Sequence, residues 1–430
     1  MQITDVETIT VGVPPPHFGG MYWIFVRLTT DSGVTGLGEV YGVPFHPDVV
    51  GRMIDDVADR SVIGADPFEL ERLWRVVYSR GFTQRPDTSV VAILSGIETA
   101  CWDIVGKEVG QPVYNLLGGK VRDALRSYTY IYPAPGEDES AYTDPDVAAE
   151  RAGAYVAQGF TALKFDPLIR FSSFDPRQPS SRTIEGVRRY VALVREAVGT
   201  GVDLLIGTHG QLTPSGAIRL ARVLEPFDPL WFEEPVPPEM PEQMALVARA
   251  TSIPIATGER LATKYEFARV LECRAAAILQ MAVGRVGGLL ESKKIAAAAE
   301  THYADVAPHL YAGPVEAAAN IHLALATPNF LIQESIEQMG GFAAEILKKP
   351  LGWESGFLLA GTEPGLGIEL DDEVVRRHPY EGRELHLEMD ESDECDAAGF
   401  GLRRRGQGSG AEEETVNMSE TTSPDPRGVR

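Results

Sequence analysis

Two segments near the start of the chain alternate apolar and polar residues. Residues 2–13 and 21–42 follow this two-residue period, and DSG at 31–33 separates two runs within the second segment. Alternation with such a turn signal predicts an antiparallel meander. From Val90 to Val109 the apolar positions recur at helical spacing, and the breaker sequence GQPVYNLLGG ends that helix. Residues 1–122 are therefore predicted to form an α+β unit.

From residue 123 the pattern changes to short apolar runs separated by segments with helical periodicity, such as 183–198, 239–250 and 287–300. The runs are RSYTYIY, TALKFD, DLLIGTH, LWFEE, IPIATGE, AAILQM, ADVAPHL and FLIQES. Eight strands in series with helices between them predict an α/β fold, a (β/α)8 or TIM barrel, over residues 123–336. A doubly wound open sheet is the alternative, but no glycine-rich phosphate loop follows the first strand.

The remainder of the chain divides into two parts. Residues 337–390 have a mixed pattern, and we expect them to return to the first unit. Residues 391–430 carry charged and glycine-rich sequences such as RRR, GQGSG and EEE with few apolar residues. A segment of this composition buries too little surface to order itself, which predicts a disordered acidic tail.

Composition narrows the classes of partner. The net charge is -23, which would repel nucleic acid and anionic membranes, so small molecules and other subunits are the expected partners. No uninterrupted apolar run approaches the roughly 20 residues that span a bilayer, and the start lacks the features of a signal peptide. The cytoplasm is the expected compartment. Only eight of the 39 basic residues are lysines, a composition compatible with a salt-rich, halophilic cytoplasm.

Polar residues end several of the predicted barrel strands. The active site of such a barrel lies at the C-terminal ends of the strands, so these side chains should converge on one mouth. They are Lys164 and Asp166 in TALKFD, His209 in DLLIGTH, Glu233 and Glu234 in LWFEE, Glu259 in IPIATGE, His309 in ADVAPHL, and Glu334 in FLIQES.

Two of these carboxylates are spaced for a shared metal site. Glu233 and Glu259 are 26 residues apart, one strand-helix repeat, which places them on adjacent strands at equivalent heights. Hard oxygen ligands suit Mg²⁺ or Mn²⁺. The alternative is that either glutamate caps a helix or pairs with an arginine such as Arg260.

Three strand-end residues are candidates for proton transfer. Lys164 interrupts an apolar strand, where desolvation or a nearby cation would lower its pKa into the range of a base. It could instead pair with Asp166. His209 and His309 can exchange protons near neutral pH, although either could be a hydrogen-bonded structural residue.

Substrate contacts are expected from both parts of the chain. The loop PPPHFGGMYW could cover the substrate through His17, Phe18 and Tyr22, and Glu334 is the expected contact from the barrel. The alternative interpretation is that this glycine- and proline-rich loop has only a structural role.

Several longer motifs resemble one family. GIETACWDIVGKEVGQPVYNLLGG, LKFDP, FEEPVPPE, IATGERL and APHLYAGPV resemble the enolase superfamily, in its mandelate racemase and acid-sugar dehydratase branch, over nearly all of residues 1–385. The chain looks most similar to the galactonate dehydratase group. The resemblance implies an α+β capping domain that seals the mouth of a modified barrel.

The resemblance also implies a chemistry. A cation held by strand-end carboxylates binds the substrate carboxylate, a base removes the α-proton, and the metal stabilises the enediolate. In the dehydratases a histidine acid assists departure of the β-hydroxyl. His209 matches this acid, Lys164 matches the lysine beside the carboxylate, and His309 matches the histidine on the opposite face.

Two positions depart from the family pattern. The family places an aspartate ligand where this chain has Gly207, so Asp166, His209 or water would have to complete the metal site. The family also places an aspartate that orients the seventh-strand histidine where this chain has Ala282. His309 is therefore expected to lack its usual partner, and Lys164 or His209 would carry more of the acid-base work.

The resulting hypothesis is a Mg²⁺-dependent dehydratase that converts an aldonic or related sugar acid to a 2-keto-3-deoxy acid. A racemase or cycloisomerase of a sugar acid is one alternative on the same fold, and a non-catalytic sugar-acid-binding or scaffold protein is another. The resemblance further suggests an even-numbered homo-oligomer.

Overall fold

The computed structural model of the protein describes residues 1–82, 85–134, 136–137, 139–168 and 178–388. The tail that the sequence predicts from residue 391 onward lies outside the described residues, and so does the segment 169–177 that follows the second barrel strand.

The N-terminal part is a three-stranded antiparallel sheet followed by helices. Its strands, in the order β1-β2-β3, are β1 (Ile3–Gly12), β2 (Tyr22–Thr30) and β3 (Thr35–Val40). The helices are α1 (Pro47–Val57), α2 (Leu70–Ser79), α3 (Thr88–Glu108) and α4 (Val113–Leu116), with a π-helical turn at Ala58–Val62 after α1. This arrangement is the predicted meander with its long helix.

Helix α3 lies at the centre of the capping domain. By length and composition it could cross a membrane, but 89% of its most apolar 18-residue window is buried inside the protein. Glycines let it approach the sheet closely, because a Cβ at Gly38 would lie 1.8 Å from the carbonyl oxygen of Gly96. A larger residue at position 38 would therefore separate β3 from α3.

Eight strands follow in the second part of the chain. They are β4 (Ala124–Tyr130), β5 (Ala162–Phe165), β6 (Asp203–Gly207), β7 (Trp231–Glu233), β8 (Ile255–Thr257), β9 (Ile278–Leu279), β10 (Asp305–Val306) and β11 (Gln333–Ser335). Strands β4 to β10 pair in parallel in chain order, and β11 pairs in parallel with β4. A parallel bridge between Val306 and Phe330 joins β10 to the segment that leads into β11. The strands thus encircle one axis, and the predicted modified (β/α)8 barrel with an α+β capping domain is confirmed.

Helices connect the barrel strands and pack outside them. They are α5 (Ser140–Thr143), α6 (Pro145–Ala157), α7 (Ser181–Val198), α8 (Pro214–Leu224), α9 (Pro241–Ala248), α10 (Thr263–Cys273), α11 (Val283–Val286), α12 (Leu289–Thr301) and α13 (Pro314–Leu325), with a 3₁₀ turn at Glu225–Phe227. The helical segments expected at 183–198, 239–250 and 287–300 correspond to α7, α9 and α12.

A single layer of side chains fills the barrel interior below the site. It takes one residue from each strand or its flank: Tyr128, Ala162, Leu205, Trp231, Ala256, Ile278, Ala307 and Ile332. Side chains alternate along a strand, so residues two positions further on return to the same interior face. Those positions include Lys164, Gly207, Glu233, Gln280, His309 and Glu334. The period of the strands therefore gathers these six residues above one apolar floor, while Asp166, His209 and Glu259 lie beyond the strand ends.

The last described segment contacts both parts. It contains α14 (Gly341–Glu345), β12 (Trp353–Glu354), β13 (Phe357–Leu359) and α15 (Asp372–Arg377). Strand β13 pairs antiparallel with β4 in the barrel, and Pro379 bridges to Val11 in the capping sheet. The predicted boundaries at residues 122, 336 and 390 stay predictions.

Candidate active site

Lys164 and Glu233 form a buried ion pair at the end of the barrel interior. Lys164 Nζ lies 2.5 Å from Glu233 Oε1 and 3.5 Å from Glu334 Oε1, and the Lys164 side chain is 2% exposed. The other oxygen of Glu233 accepts hydrogen bonds from Trp231 Nε1 at 2.9 Å and from Gln280 Nε2 at 2.8 Å. Both oxygens of Glu233 are therefore engaged by donors of the barrel.

The pKa of Lys164 differs from the expectation. Burial acts to lower it, but Glu233 and Glu334 outweigh burial and raise the pKa well above its ordinary value. Lys164 is thus an ammonium in this arrangement, and the direction of the shift is opposite to the expected depression. Its role as a base stays a prediction. The alternative prediction, an ion pair between Lys164 and Asp166, is wrong, because the ionic partners of Lys164 are Glu233 and Glu334.

Glu259 follows strand β8 and lies beside His309, which follows β10. The strand register pairs Glu233 with Ala256, so Glu259 lies three residues beyond the position level with Glu233, and the expected equivalent heights are wrong. Glu259 Oε2 is 3.5 Å from His309 Nε2, and Glu259 Oε1 is 3.8 Å from Arg260 Nε. Arg260 is closer to Glu234, whose Oε2 accepts its Nε-H at 2.7 Å. Burial acts to raise the pKa of Glu259, but the surrounding cationic side chains lower it below its usual range. Glu259 is therefore an ionised carboxylate. Arg260, its alternative partner in the sequence analysis, pairs more closely with Glu234.

His309 has a different environment at each ring nitrogen. Its Nε2 faces Glu259, and it lies 3.9 Å from Glu334 Oε2. Its Nδ1 is buried and has no hydrogen-bond partner among the described residues, in agreement with the missing carboxylate at Ala282. Burial lowers the pKa of His309 to about 4 although Glu259 acts to raise it, so the ring is neutral near pH 7 and the lasting positive charges beside Glu259 are those of Lys164 and Arg260.

His209 lies against Asp166 rather than against a residue of its own strand. His209 Nδ1 is 3.1 Å from Asp166 Oδ2. Burial acts to lower the pKa of His209, but the hydrogen bond to Asp166 and the charge of Glu259 raise it overall. The two candidate histidines thus have pKa values shifted in opposite directions.

The expected substrate contacts divide between barrel and cap. Glu334 belongs to the cluster, and its Oε2 accepts the Leu310 N-H at 2.7 Å. In the cap, His17 Nδ1 lies 2.6 Å from the Val13 carbonyl oxygen, and the Tyr22 hydroxyl donates to the Phe45 carbonyl at 3.3 Å. Tyr22 also contacts Tyr380 and His386 of the C-terminal segment. The substrate role of His17 and Tyr22 stays a prediction.

Two site residues were missed by the sequence analysis. Gln280 is fully buried and donates to Glu233, and a polar residue at the end of AAILQM meets the same strand-end criterion that found the others. Arg285 donates to the carbonyl oxygens of Glu259 and Gly42 at 3.0 and 2.9 Å. It joins the capping domain to the mouth of the barrel, and no local pattern marks it.

The donor set fits a hard divalent cation. Glu233, Glu259 and Glu334 bring three buried carboxylates together against the one buried ammonium of Lys164. Burial raises the pKa of Glu233 and of Glu334, which means that the charged cluster lacks compensating positive charge. Carboxylate oxygens are ligands of Mg²⁺ and Mn²⁺, and Glu233 and Glu259 are the residues that would hold such an ion.

The chain lacks one of the metal ligands that the family resemblance implies. Gly207 pairs in register with Glu233 and has no side chain that could bind a metal ion. In the described part of the chain, no three His, Cys, Asp or Glu side chains form a ready metal-binding group. Asp166, the expected third ligand, contacts His209, Gln211 and the Leu168 N-H. Its role in metal binding stays a prediction.

Comparison with known proteins supports this architecture along most of the chain. A family model described as enolase C-terminal domain-like matches residues 147–374, and one described as the mandelate racemase / muconate lactonizing enzyme N-terminal domain matches residues 18–118. A D-galactonate dehydratase from Xanthomonas euvesicatoria pv. vesicatoria (strain 85-10) is 35% identical over 367 residues, 83% of this chain and 90% of that protein.

Solved structures give the same result. A structure from Labrenzia alexandrii DFL-11, provisionally described as a mandelate racemase/muconate lactonizing enzyme, is 57% identical with a TM-score of 0.88, and the match covers 91% of this chain and 99% of that one. A provisionally named dehydratase from Mesorhizobium loti is 33% identical with a TM-score of 0.79, covering 88% and 99%. The chain therefore belongs to the mandelate racemase/muconate lactonizing enzyme family of the enolase superfamily.

Proposed function

We propose that the protein is a Mg²⁺-dependent dehydratase that converts an aldonic or related sugar acid to a 2-keto-3-deoxy acid. One observation carries the proposal: Lys164, Glu233, Glu259, His309 and Glu334 meet at one end of the barrel, within electrostatic reach of His209. The relatives named D-galactonate dehydratase, 35% identical over most of their length, support the same class of reaction.

Each residue has a role that follows from its protonation. The Lys164 ammonium binds the substrate carboxylate. His309 is neutral near pH 7, so it accepts the α-proton, and His209, whose pKa is raised, donates a proton to the departing β-hydroxyl. Mg²⁺ bound by Glu233 and Glu259 would supply the positive charge that makes the α-proton acidic.

The test is product analysis by NMR in deuterated water. The protein, with Mg²⁺, is incubated with a panel of aldonic and aldaric acids that differ in hydroxyl stereochemistry. Dehydration gives a 2-keto-3-deoxy acid with deuterium at C3, because the enol takes its new proton from solvent. Glu259→Gln is the control and should show no turnover.

The alternatives give other products. Gly207 and Ala282 depart from the family pattern, so racemisation and cycloisomerisation of a sugar acid are rivals on the same fold. Racemisation would give the epimer with deuterium at C2. A cycloisomerase would open a lactone or anhydro ring without loss of water. Saturable binding without any product would support a non-catalytic sugar-acid-binding protein. Each of these results contradicts dehydration.

A further inference from the structure

A buried carboxylate beside His209 has no role in the steps above. The Asp166 side chain is 2% exposed. Its Oδ2 lies 3.1 Å from His209 Nδ1 and 3.4 Å from Gln211 Nε2, while its Oδ1 accepts the Leu168 N-H at 2.8 Å. The Asp166 N-H in turn donates to the Tyr130 hydroxyl oxygen at 2.9 Å. Asp166 is thus fixed at both its side chain and its backbone.

The geometry determines which atom of His209 carries the proton. An ionised carboxylate only accepts hydrogen bonds, so His209 Nδ1 must donate to Asp166. In a neutral ring this tautomer leaves Nε2 as the acceptor, and in the charged ring Nε2 is the proton that can be given away. Asp166 therefore fixes the proton on Nδ1 of His209.

The backbone of His209 has an unfavourable conformation that surrounding contacts must hold in place. Its φ is 46°, in the left-handed region that non-glycine residues seldom adopt. Strained residues of this kind persist where the surrounding contacts hold them, and they cluster at functional sites.

We infer that Asp166 is a positioning residue for His209, and that the histidine-carboxylate pair of this enzyme lies on the second and third barrel strands. Its catalytic consequence rests on the proposed function. The chain lacks a carboxylate on the Nδ1 side of His309 among the described residues, and it has one on the Nδ1 side of His209. The oriented histidine is therefore the proton donor to the leaving group.

Asp166→Asn separates this role from that of a metal ligand. We expect the variant to lose at least about 100-fold in kcat, the contribution of one well-placed acid, while KM changes by less than about threefold. Mg²⁺ affinity measured by titration calorimetry should stay within about twofold of the parent. Asp166→Glu, which restores the carboxylate, should recover part of the lost kcat. Asp203→Asn, at the opposite end of β6, is the matched control and should keep the parent kcat.

A spectroscopic readout tests the pairing without any substrate. In protein labelled with ¹⁵N-histidine, the parent should show a proton on His209 Nδ1, assigned with His209→Gln, and Asp166→Asn should change that proton's shift or tautomer. Absence of the Nδ1 proton in the parent, or an unchanged signal in the variant, would overturn the inference. Loss of more than about tenfold in Mg²⁺ affinity would assign Asp166 to the metal instead. If no sugar acid is dehydrated, the proposed function fails while the NMR result still decides the pairing.

Discussion

At the scale of single residues, Gly207 is the position that most alters the site. It lies opposite Glu233 in the strand register, and a Cβ there would come within 3.3 Å of Lys164 Cε. The end of a lysine side chain can move by a few tenths of an ångström at small cost. Position 207 can therefore accept a side chain, and the charge of that side chain should change the metal affinity.

Gly207→Asp should bind Mg²⁺ about 10-fold more tightly than the parent, because a third carboxylate joins Glu233 and Glu259. Gly207→Asn has the same size without the charge and should give little gain. Titration calorimetry on the three proteins makes the comparison. Equal affinities for all three would show that position 207 does not face the ion.

The properties of single residues were also the hardest to predict from the sequence. The strand-end criterion found Glu233 and His309, because the two-residue period of a strand fixes which side chains enter the barrel. It also found Glu259, although that residue lies beyond the end of β8 and one position off this period. The predicted direction of the pKa shift of Lys164 was opposite to the one in the structure. That direction depends on Glu233 and Glu334, which lie far away in the chain and approach Lys164 only once the barrel has closed.

At the scale of elements, buried carboxylates of the cap bind the N-termini of barrel helices. Glu98 on α3 accepts the N-H groups of Leu289 and Leu290 at 2.7 and 3.0 Å, at the start of α12. Glu39 on β3 accepts the Glu316 N-H at 2.9 Å in the first turn of α13. Helix N-termini carry unpaired donors and positive partial charge, so each contact joins the two parts of the chain.

Glu98→Ala should lower the free energy of unfolding by about 3 kcal/mol, because it removes an acceptor and leaves two buried donors, the Trp102 Nε1-H and the Leu289 N-H, and the partly buried Leu290 N-H without a partner. Glu108→Ala removes an exposed glutamate from the last turn of the same helix and should cost little. Urea denaturation of both variants provides the measurement. Similar losses for the two would contradict this account of how α3 docks.

His322 on α13 gives a pH-dependent contribution to stability. Its Nδ1 accepts the Tyr114 N-H at 3.1 Å, and burial lowers the pKa of His322 to about 4. An unfolded histidine titrates near pH 6.5, so between these values only the unfolded state binds the proton. The contribution of His322 is complete above about pH 6.5 and is lost as the pH falls towards 4.

The parent should therefore lose about 2 kcal/mol more stability between pH 7.5 and pH 5 than His322→Gln does. Glutamine can still accept the Tyr114 N-H, which limits the cost of the substitution at neutral pH. His302→Gln, at an exposed position, should retain the pH dependence of the parent. Parallel pH profiles for the parent and His322→Gln would be evidence against a neutral, buried His322.

The elements themselves followed closely from the sequence. The strands of the meander and the barrel lie where apolar runs predicted them, since both patterns depend on local periodicity. Helix bounds moved by a few residues: the segment expected at 239–250 is α9, which begins at Pro241, because proline lacks the N-H and suits the first turn of a helix. The contacts between parts, such as Glu98 with α12, join residues about 190 positions apart and leave no local signal.

At the scale of the whole molecule, the mouth of the barrel is built by both parts of the chain. Arg285 donates to a carbonyl oxygen of the cap at Gly42 and to one of the barrel at Glu259. The Tyr41 ring, immediately after β3, lies 5.6 Å from the His309 ring. The cap therefore contributes to the surroundings of the candidate base, and the barrel alone would not form this site.

The carboxylates at this mouth are proposed to bind one divalent ion for chemistry on a sugar acid. Titration calorimetry with Mg²⁺ on the parent, Glu233→Gln, Glu259→Gln and the double variant tests it most directly, with the exposed Glu354→Gln as the control. The parent and Glu354→Gln should bind one ion per chain, and each site variant should lose that binding. A double variant that binds Mg²⁺ with the affinity of the parent would contradict the claim.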